Sequence, residues 1–211
     1  FPDKLISYFS ILSMLTRQLI NIPVHLGLDH LPNIYCGVAV FVLLPLYIMC
    51  SKVNAREKIG KCVILLIFLT AFNLNIPNYI WHGMHFPNSL PCRQSFIYIF
   101  FLLAMCYEAV INLKNSTNRQ LGASLWIAIG LLLIMEELFI NSETEYSFKS
   151  VYISGIFILI YGLLMFIHNN AKFKIPVVLM LTFSVSIIEC TMNMDATGIG
   201  TTSRTSYLLD Y

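Results

Sequence analysis

Charged residues are scarce in this chain. Only 11% of its 211 residues are Asp, Glu, Lys or Arg, whereas soluble domains have roughly a quarter. Hydrophobic residues make up 57%, and the mean hydropathy is +0.74. The 13 Lys and Arg residues are scattered, so no basic face is available to bind nucleic acid. This composition excludes an ordinary soluble domain and predicts a membrane protein.

The sequence also lacks the cysteine patterns of metal sites and disulfide-rich domains. Its six cysteines lie in or beside apolar runs, with no CxxC pair and no His-rich partner segment. Disulfide frameworks belong to small, loop-rich secreted domains. We therefore interpret these cysteines as small buried apolar residues.

The first residues of the sequence show neither an initiating Met nor a signal-peptide pattern. The first residue is Phe1, and no basic segment, short apolar run and cleavage site open the chain. We expect the sequence to be a segment of a longer protein.

Long apolar runs dominate what is present. Six of them approach the roughly 20 residues that a helix needs to cross a hydrocarbon core of about 30 Å. They lie at residues 33–51, 62–80, 95–113, 121–139, 151–167 and 177–195. Because a helix satisfies its own backbone hydrogen bonds in lipid, the sequence predicts an all-α, polytopic transmembrane helical bundle with about six spanning helices.

These runs divide the chain into three parts. We expect a transmembrane helical domain at residues 33–195. Residues 1–32 have apolar side chains at helical spacing, so they form either an outer-face interfacial segment or the end of a truncated spanning helix. Residues 196–211 are rich in Gly, Thr and Ser, and we interpret them as the start of an extracellular region.

The basic residues are unevenly divided between the connections. Eight follow the first, third and fifth apolar runs, whereas the two intervening loops hold only Arg93 and Lys149. By the positive-inside rule, the side with eight is cytoplasmic. Both ends of the segment and the loop at residues 78–94 then lie on the extracellular side.

A polar stripe runs along the last apolar run. Thr182, Ser186, Glu189 and Asn193 recur at steps of three and four residues, which places them on one helix face. A carboxylate near the bilayer centre costs at least about 2.5 kcal/mol, so Glu189 is expected to face a protein interior or a wet cavity. The stripe therefore indicates either a groove open to the outside or a helix-packing face.

Three further acidic residues lie near the ends of apolar runs. Glu136 and Glu137 end the fourth run on the predicted outer side, where each either faces a cavity or reaches interface water. Glu108 lies toward the cytoplasmic end of the third run. We predict that Glu108 pairs with a Lys or Arg at that boundary.

The predicted outer loop from Asn78 to Gln94 has a shaped backbone and aromatic side chains. Pro87 and Pro91 force an extended path between two helices. Tyr79 and Trp81 suit the aromatic belt at the membrane surface.

The same loop gathers hydrogen-bonding side chains at headgroup depth: His82, His85, Asn88 and Arg93. Arg93 precedes a helix whose first free N–H groups add a positive end. We predict a site for a phosphate, held by an Arg fork and by His. A metal bound by His82 and His85 ranks below phosphate, and a rigid connector with exposed His is the remaining interpretation.

At these residues the chain resembles a bacterial family. The run N-Y-I-W-H-G-M-H-F-P-N-S-L-P-C-R-Q-S-F, followed by an aromatic apolar helix, is similar to the W-H, P-N and P-x-R-x-S-F pattern of YfhO-family membrane proteins. Asn33-Ile-Tyr-Cys-Gly37 and Glu189 with Asn193 also resemble that family. The resemblance covers essentially the whole chain, and the loop is its specific part. Cys92 and Gln94 beside Arg93 depart from the pattern, which leaves fine substrate preference open.

The resemblance implies a GT-C-like fold and a membrane glycosyltransferase. Such an enzyme would transfer a sugar from an undecaprenyl-phosphate carrier to a cell-wall polymer, such as lipoteichoic or teichoic acid, on the outer face of the bacterial cytoplasmic membrane. Its partners would be the lipid-linked sugar donor, the polymer acceptor and membrane lipid, with no nucleic acid. No cofactor is fixed, and Mg²⁺ or Mn²⁺ remains an option.

The resemblance also assigns roles to residues. Arg93 and His82 or His85 would hold the phosphate, and Trp81 and Tyr79 would stack on the sugar or the prenyl chain. The implied substrate-binding residues are Arg93, His82, His85, Asn88, Trp81, Tyr79, Glu189 and Asn193. The catalytic residue is unknown, because the general base of such enzymes comes from an outer loop that we expect upstream of Phe1, with Glu189 as a supporting residue.

Two other classes of function remain open. A transporter or flippase-like protein would line a route with Glu189, Glu136 and the polar stripe. A route should cross the bilayer, whereas these polar groups concentrate in the predicted outer half. A non-catalytic membrane assembly protein would use the loop only for its shape.

Overall fold

The computed structural model describes residues 4–24, 31–86, 92–140, 148–170 and 175–196. This described part is all-helical, which confirms the predicted fold class, and its sole β-type pairing is an isolated bridge between Ser7 and Leu74. The α-helices are α1 (Ile11–Leu15), α2 (Val40–Met49), α3 (Ala55–Asn73), α4 (Asn75–Trp81), α5 (Ser95–Ile111), α6 (Asn118–Ile140), α7 (Phe148–Asn169) and α8 (Ile175–Ala196). The predicted domain boundaries at 32/33 and 195/196 stay predictions.

The number of long spans is lower than the predicted six. Within the described residues, three helices are long and apolar enough to cross a membrane: Asn118–Glu137, Phe148–Asn169 and Ile175–Met194. The apolar helices α2 and α5 have 10 and 17 residues, or about 15 and 26 Å at 1.5 Å per residue.

Local backbone breaks explain the shorter elements. Gly37 has a φ of +97°, so the first predicted run becomes helical only at Val40. The second predicted run is broken at Leu74, which is extended and bridges to Ser7. Its helix α3 instead begins in the charged segment after Asn54, whose side chain caps the N–H of Arg56 at 3.0 Å.

The central helix of the bundle is α2. It packs against α5 on one side and α6 on the other, and α3 covers α5 while α7 covers α6. Phe68, Phe72 and Tyr98 belong to the first of the two resulting cores, and Phe157 and Ile158 belong to the second. Among the three long spans, α8 is the least buried, since only 11% of its apolar stretch is buried inside the bundle.

One end of the bundle, which we call the basic end, joins the last turns of α2, α5 and α7 to the first turns of α3 and α6. Lys61 donates hydrogen bonds to Glu57 at 2.6 Å and to Glu108. This ion pair confirms the predicted partner of Glu108. Gln120 ties the ends together further, since its Nε2 donates to the Met49 carbonyl at 2.9 Å.

The opposite end, which we call the loop end, contains the ends of α3, α6 and α8 and the starts of α5 and α7. Residues 4–24 cross this end: Ile6 N–H donates to Asn75 Oδ1 at 2.8 Å, and Asn21 N–H donates to Asn193 Oδ1 at 3.1 Å. The N-terminal segment, the start of the predicted outer loop and the end of α8 therefore lie at one end of the bundle, as the sequence predicted. The side of the membrane that this end faces stays a prediction.

Asn73 holds the first part of this crossing segment. Its buried Oδ1 accepts from Phe9 N–H at 3.0 Å and from Ser7 Oγ at 3.1 Å. Replacing Asn73 with Ala leaves both donors without that acceptor, so we expect a loss of about 1–3 kcal/mol in the free energy of unfolding. Thermal unfolding in detergent and faster hydrogen exchange at residues 5–9 would report it.

The matched control for this variant is Asn118→Ala. Asn118 is exposed, and its side chain bonds the amides of Asn169 and Asn170 at the surface. We expect a change within about 0.5 kcal/mol. Equal effects of the two variants would contradict the assigned role of Asn73.

Candidate functional site

A buried carboxylate lies near the loop end of the bundle. Glu189 is 3% exposed, and its Oε1 accepts from the Tyr35 hydroxyl at 2.6 Å and from Val38 N–H at 2.7 Å. Its Oε2 accepts from the Tyr161 hydroxyl at 2.6 Å. Tyr35 and Val38 lie on either side of the left-handed turn at Gly37. This turn packs against the carboxylate, since a Cβ added at Gly37 would lie 3.8 Å from Oε1.

The polar stripe on α8 is used mostly for packing. Ser186 Oγ lies 3.1 Å from the Tyr161 hydroxyl, and Asn193 Oδ1 accepts from Asn21 N–H. Thr182 donates to a carbonyl of its own helix, that of Val178, at 2.9 Å. The helix-packing interpretation thus describes most of the stripe, and cavities adjoin both of its ends.

The first of these cavities is polar and lies beside Glu189. It measures about 160 Å³ and is lined by Arg17, Ile22, Val24, Asn33, Tyr35 and Asn193. The second is apolar, measures about 250 Å³ and extends from Tyr161 and Ser186 toward His168 near the basic end. Tyr35 and Tyr161, the two hydroxyl donors to Glu189, line one cavity each.

Sequence analysis did not assign Arg17 to a site. Arg17 is 3% exposed and donates to the carbonyls of Pro23 and Pro32 at 2.7 and 3.2 Å and to Asn33 Oδ1. The signal in the sequence that could have identified Arg17 is its position among apolar residues. A guanidinium buried there needs several hydrogen-bond acceptors around it.

Aromatic side chains surround α4 in the predicted outer loop. The Trp81 ring packs on Phe68 with centroids 5.0 Å apart and is 42% exposed. The Tyr79 ring packs on Phe86 at the same centroid distance, 5.0 Å. Both predicted aromatic residues therefore lie on one short helix at the loop end.

His82 and His85 follow α4 but differ in environment. His82 is half-buried, and its Nδ1 lies 2.8 Å from the Asn78 carbonyl, whereas His85 is exposed. A carbonyl only accepts, so Nδ1 has the proton and, in the neutral ring, Nε2 is an acceptor. This Nε2 is buried with no hydrogen-bond partner. Asn88 lies outside the described residues.

Arg93 lies exposed in the turn before α5, between two buried neighbours. Cys92 has a φ of +61°, and burial raises the pKa of its thiol to about 12. Gln94 is 2% exposed, and neither Oε1 nor Nε2 has a partner. Both polar atoms of the Gln94 side chain are thus buried without a partner, which sets it apart from the other described polar residues of the loop.

Unpaired buried polar atoms concentrate in this loop. Six buried side-chain N or O atoms lack a hydrogen-bond partner in the described part of the chain, and four belong to Asn78, His82 and Gln94. Leaving such a group unpaired costs about 1–3 kcal/mol, so an accumulation of them indicates unused capacity for a ligand.

The structure places the predicted residues in two groups. Glu189 and Asn193 lie between α7, α8 and the segment before α2, while Tyr79, Trp81 and His82 pack at the end of α3. Glu136 accepts from the exposed Tyr152 hydroxyl at 2.7 Å, and Glu137 is exposed.

Neither group fits a metal ion. Over the ranges that the structure describes, no three His, Cys, Asp or Glu side chains come close enough to hold one. The six cysteines are free; Cys50, Cys92 and Cys106 are buried as predicted, whereas Cys190 is exposed on α8.

Helices of this length and apolarity, with polar groups gathered at one end, define a helical membrane protein. The sequence matches the family model described as "Bacterial membrane protein YfhO" over residues 5–211, and the chain belongs to this family. Comparisons with curated proteins and with solved structures gave no match.

Proposed function

We propose that this protein is a membrane glycosyltransferase of the GT-C type. It transfers a sugar from an undecaprenyl-phosphate carrier to a cell-wall polymer, such as lipoteichoic or teichoic acid, on the outer face of the cytoplasmic membrane. Membership of the YfhO family supports this function, as does the collection of polar groups at the end of the bundle opposite the basic residues.

The observation on which the proposal rests is the set of unpaired buried atoms in the loop. Asn78 Oδ1, His82 Nε2 and Gln94 Oε1 can accept hydrogen bonds, and Gln94 Nε2 can donate them. A sugar offers hydroxyl groups that both donate and accept. A site of this kind recognises a polyhydroxy ligand better than a simple anion.

Trp81 and Arg93 complete the proposed site for the lipid-linked sugar donor. Trp81, partly exposed beside Phe68, offers a face on which a sugar or a prenyl chain can stack. Arg93 at the start of α5 would hold the carrier phosphate. The buried Nε2 of His82 can bond a sugar hydroxyl, and the guanidinium of Arg93 supplies the fixed charge that suits a phosphate, so we assign the phosphate to Arg93.

The reaction breaks the bond between the sugar's anomeric carbon and the carrier phosphate oxygen, and a hydroxyl oxygen of the polymer forms the new bond. Negative charge develops on the departing phosphate, where Arg93 stabilises it. The hydroxyl proton goes to a base. Glu189 is buried and both of its carboxylate oxygens already accept hydrogen bonds from the protein, so we assign it a positioning role and not that of the base.

Transport of a polar solute fits the structure less well. A polar route would have to continue past Glu189 toward the basic end, but the cavity there is lined mainly by Leu, Val, Ala and Met side chains. This apolar lining favours a site open at one end over a path through the bundle.

Arg93→Ala tests the proposed donor site. Removing one exposed charge-assisted hydrogen bond, worth about 1.5 kcal/mol, should lower sugar transfer roughly tenfold. The measurement is the sugar content of the cell-wall polymer in cells that make the full-length protein at normal levels. Arg119→Ala, at an exposed residue of the basic end, is the matched control and should leave transfer unchanged. Unchanged glycosylation in the Arg93 variant would exclude the proposed site.

A further inference from the structure

The apolar cavity toward the basic end takes no part in the proposed function. It measures about 250 Å³, whereas an engineered apolar cavity of about 150 Å³ already holds benzene. Both Tyr161 and His168 line it, and these residues are seven positions apart on α7, or about 10 Å at 1.5 Å per residue. The cavity is therefore long enough, along the helix axis, to hold part of a hydrocarbon chain.

The cavity opens to the side of the bundle, between α5 and α8. Helix α8 packs mainly on α7, and α5 packs on α2 and α3, so α5 and α8 leave a gap between them. Val110 of α5 and Leu179 of α8 line the cavity and are still 45% and 56% exposed. In a membrane protein this side faces lipid, so a lipid chain can enter the cavity from the bilayer.

The three hydroxyl groups in the lining are already hydrogen-bonded within the protein. Thr182 and Ser186 donate to carbonyls of their own helix, at 2.9 and 3.0 Å, and Tyr161 donates to Glu189. Apart from His168, the other lining residues are apolar. A polar solute would lose its hydration there without gaining partners, whereas a hydrocarbon chain gains dispersion contacts with the walls.

Basic side chains lie at the end of the cavity that faces the basic end of the bundle. Leu113 lines the cavity, and the next residue, Lys114, is exposed. Lys114 is close enough to His168 for its charge to act on the imidazole ring. The turn that contains Lys114 packs on α7, where Asn169 Nδ2 donates to the Ser116 carbonyl at 2.9 Å. An ammonium group and an imidazole ring therefore lie together at this end of the cavity.

The acidic groups of the basic end are paired elsewhere. Of the described residues that line the cavity, none is acidic. Glu57 and Glu108 both accept from Lys61, between α3 and α5, and α3 contributes no residue to the lining. The charge of Lys114 can therefore attract an anion at the mouth of the cavity.

We infer that this cavity binds an acyl chain of an anionic phospholipid, with the head group at Lys114 and His168. The chain fills the apolar space, and the Lys114 ammonium and an N–H of the His168 ring donate to the phosphate oxygens. Basic pockets between spanning helices bind anionic head groups in the same way in other membrane proteins. The sugar carrier is a different ligand, because its phosphate is assigned to Arg93 at the loop end.

Native mass spectrometry of the purified full chain in detergent tests the head-group contacts. Phosphatidylglycerol and phosphatidylethanolamine with identical acyl chains are titrated at low ionic strength, and their dissociation constants are compared. We expect phosphatidylglycerol, which has a net negative charge, to bind roughly tenfold more tightly. Lys114→Ala should reduce this preference about fivefold, the effect of one basic residue near a head group. Arg56→Ala removes an exposed charge of α3 at the same end and should leave the preference unchanged.

A second pair of variants tests the position of the acyl chain. Val110→Trp places a large side chain in the gap between α5 and α8. Displacing two methylene groups of the lipid chain is enough to weaken the binding of both phospholipids roughly tenfold. Ile111→Trp, at the next exposed position and outside the lining, is the matched control and should leave binding unchanged. If Val110→Trp does not fold, Leu179→Trp blocks the same gap from α8.

Three results would overturn the inference. They are equal affinity of the parent for the two phospholipids, unchanged binding in the folded Val110 and Leu179 variants, and tighter binding of farnesyl phosphate than of phosphatidylglycerol. The last result would assign the cavity to a prenyl carrier. Sugar transfer is not part of the readout, so the cavity can succeed or fail independently of the proposed function.

Discussion

Glu189→Ala is expected to lower the free energy of unfolding by roughly 3 kcal/mol or more, because three hydrogen-bond donors lose their acceptor at about 1–3 kcal/mol each. The carboxylate is 3% exposed, and its loss leaves two tyrosine hydroxyls and the Val38 N–H without their acceptor. These three donors join the segment before α2 to α7 and α8. The variant should therefore loosen the whole loop end and not merely α8.

Thermal unfolding in detergent, followed by tryptophan fluorescence, measures this effect. Glu189→Gln keeps one oxygen for Tyr35 and Val38 and should cost less than half as much. Glu136→Ala is the matched control, because Glu136 also accepts from a tyrosine hydroxyl, that of Tyr152, but at the surface. A Glu189→Ala variant as stable as Glu136→Ala would show that the carboxylate does not hold the loop end together.

Gln94→Leu is expected to separate stability from function. Gln94 is buried with both polar atoms unpaired, so an apolar side chain of similar size should raise the free energy of unfolding by about 1–3 kcal/mol. If the same atoms bind the sugar, the variant loses two hydrogen bonds of about 1.5 kcal/mol each. Sugar transfer should then fall roughly 100-fold.

Gln120→Leu is the matched control, because the side chain of Gln120 is hydrogen-bonded whereas that of Gln94 is not. Its Nε2 donates to the Met49 carbonyl at 2.9 Å and its Oε1 accepts from Thr117 N–H at 2.8 Å, at the basic end of the bundle. This variant should be less stable than the parent and transfer sugar normally. Stability and transfer that change in the same direction in both variants would contradict the assignment of Gln94 to a ligand site.

Much of the fold follows from the sequence because the apolar runs are long. The three long spans overlap the last three predicted runs, and Glu108 pairs with Lys61 because both lie toward the basic end of the bundle. The broken helices were not predictable in this way. A hydropathy average does not detect the left-handed turn at Gly37 or the extended break at Leu74.

The candidate site was only partly predictable. The position of Glu189 on a polar face is a local property of α8, but its partners Tyr35 and Tyr161 are 154 and 28 residues away in sequence. Arg17 reaches its cavity through irregular backbone near Pro23 and Pro32 that no periodicity describes. The sequence predicted a site at Arg93, His82 and His85 but not at Gln94. The burial of Gln94 depends on packing at the start of α5, which the sequence pattern does not reveal.

The central claim is that the unpaired polar groups of the predicted outer loop bind the sugar of a lipid-linked donor. The most direct measurement is the sugar content of the cell-wall polymer in cells that make the full-length protein with either Gln94 or Leu at this position, at equal protein levels. The account predicts a roughly 100-fold lower sugar content with Gln94→Leu despite its higher unfolding temperature. Normal glycosylation by the Leu variant would contradict it.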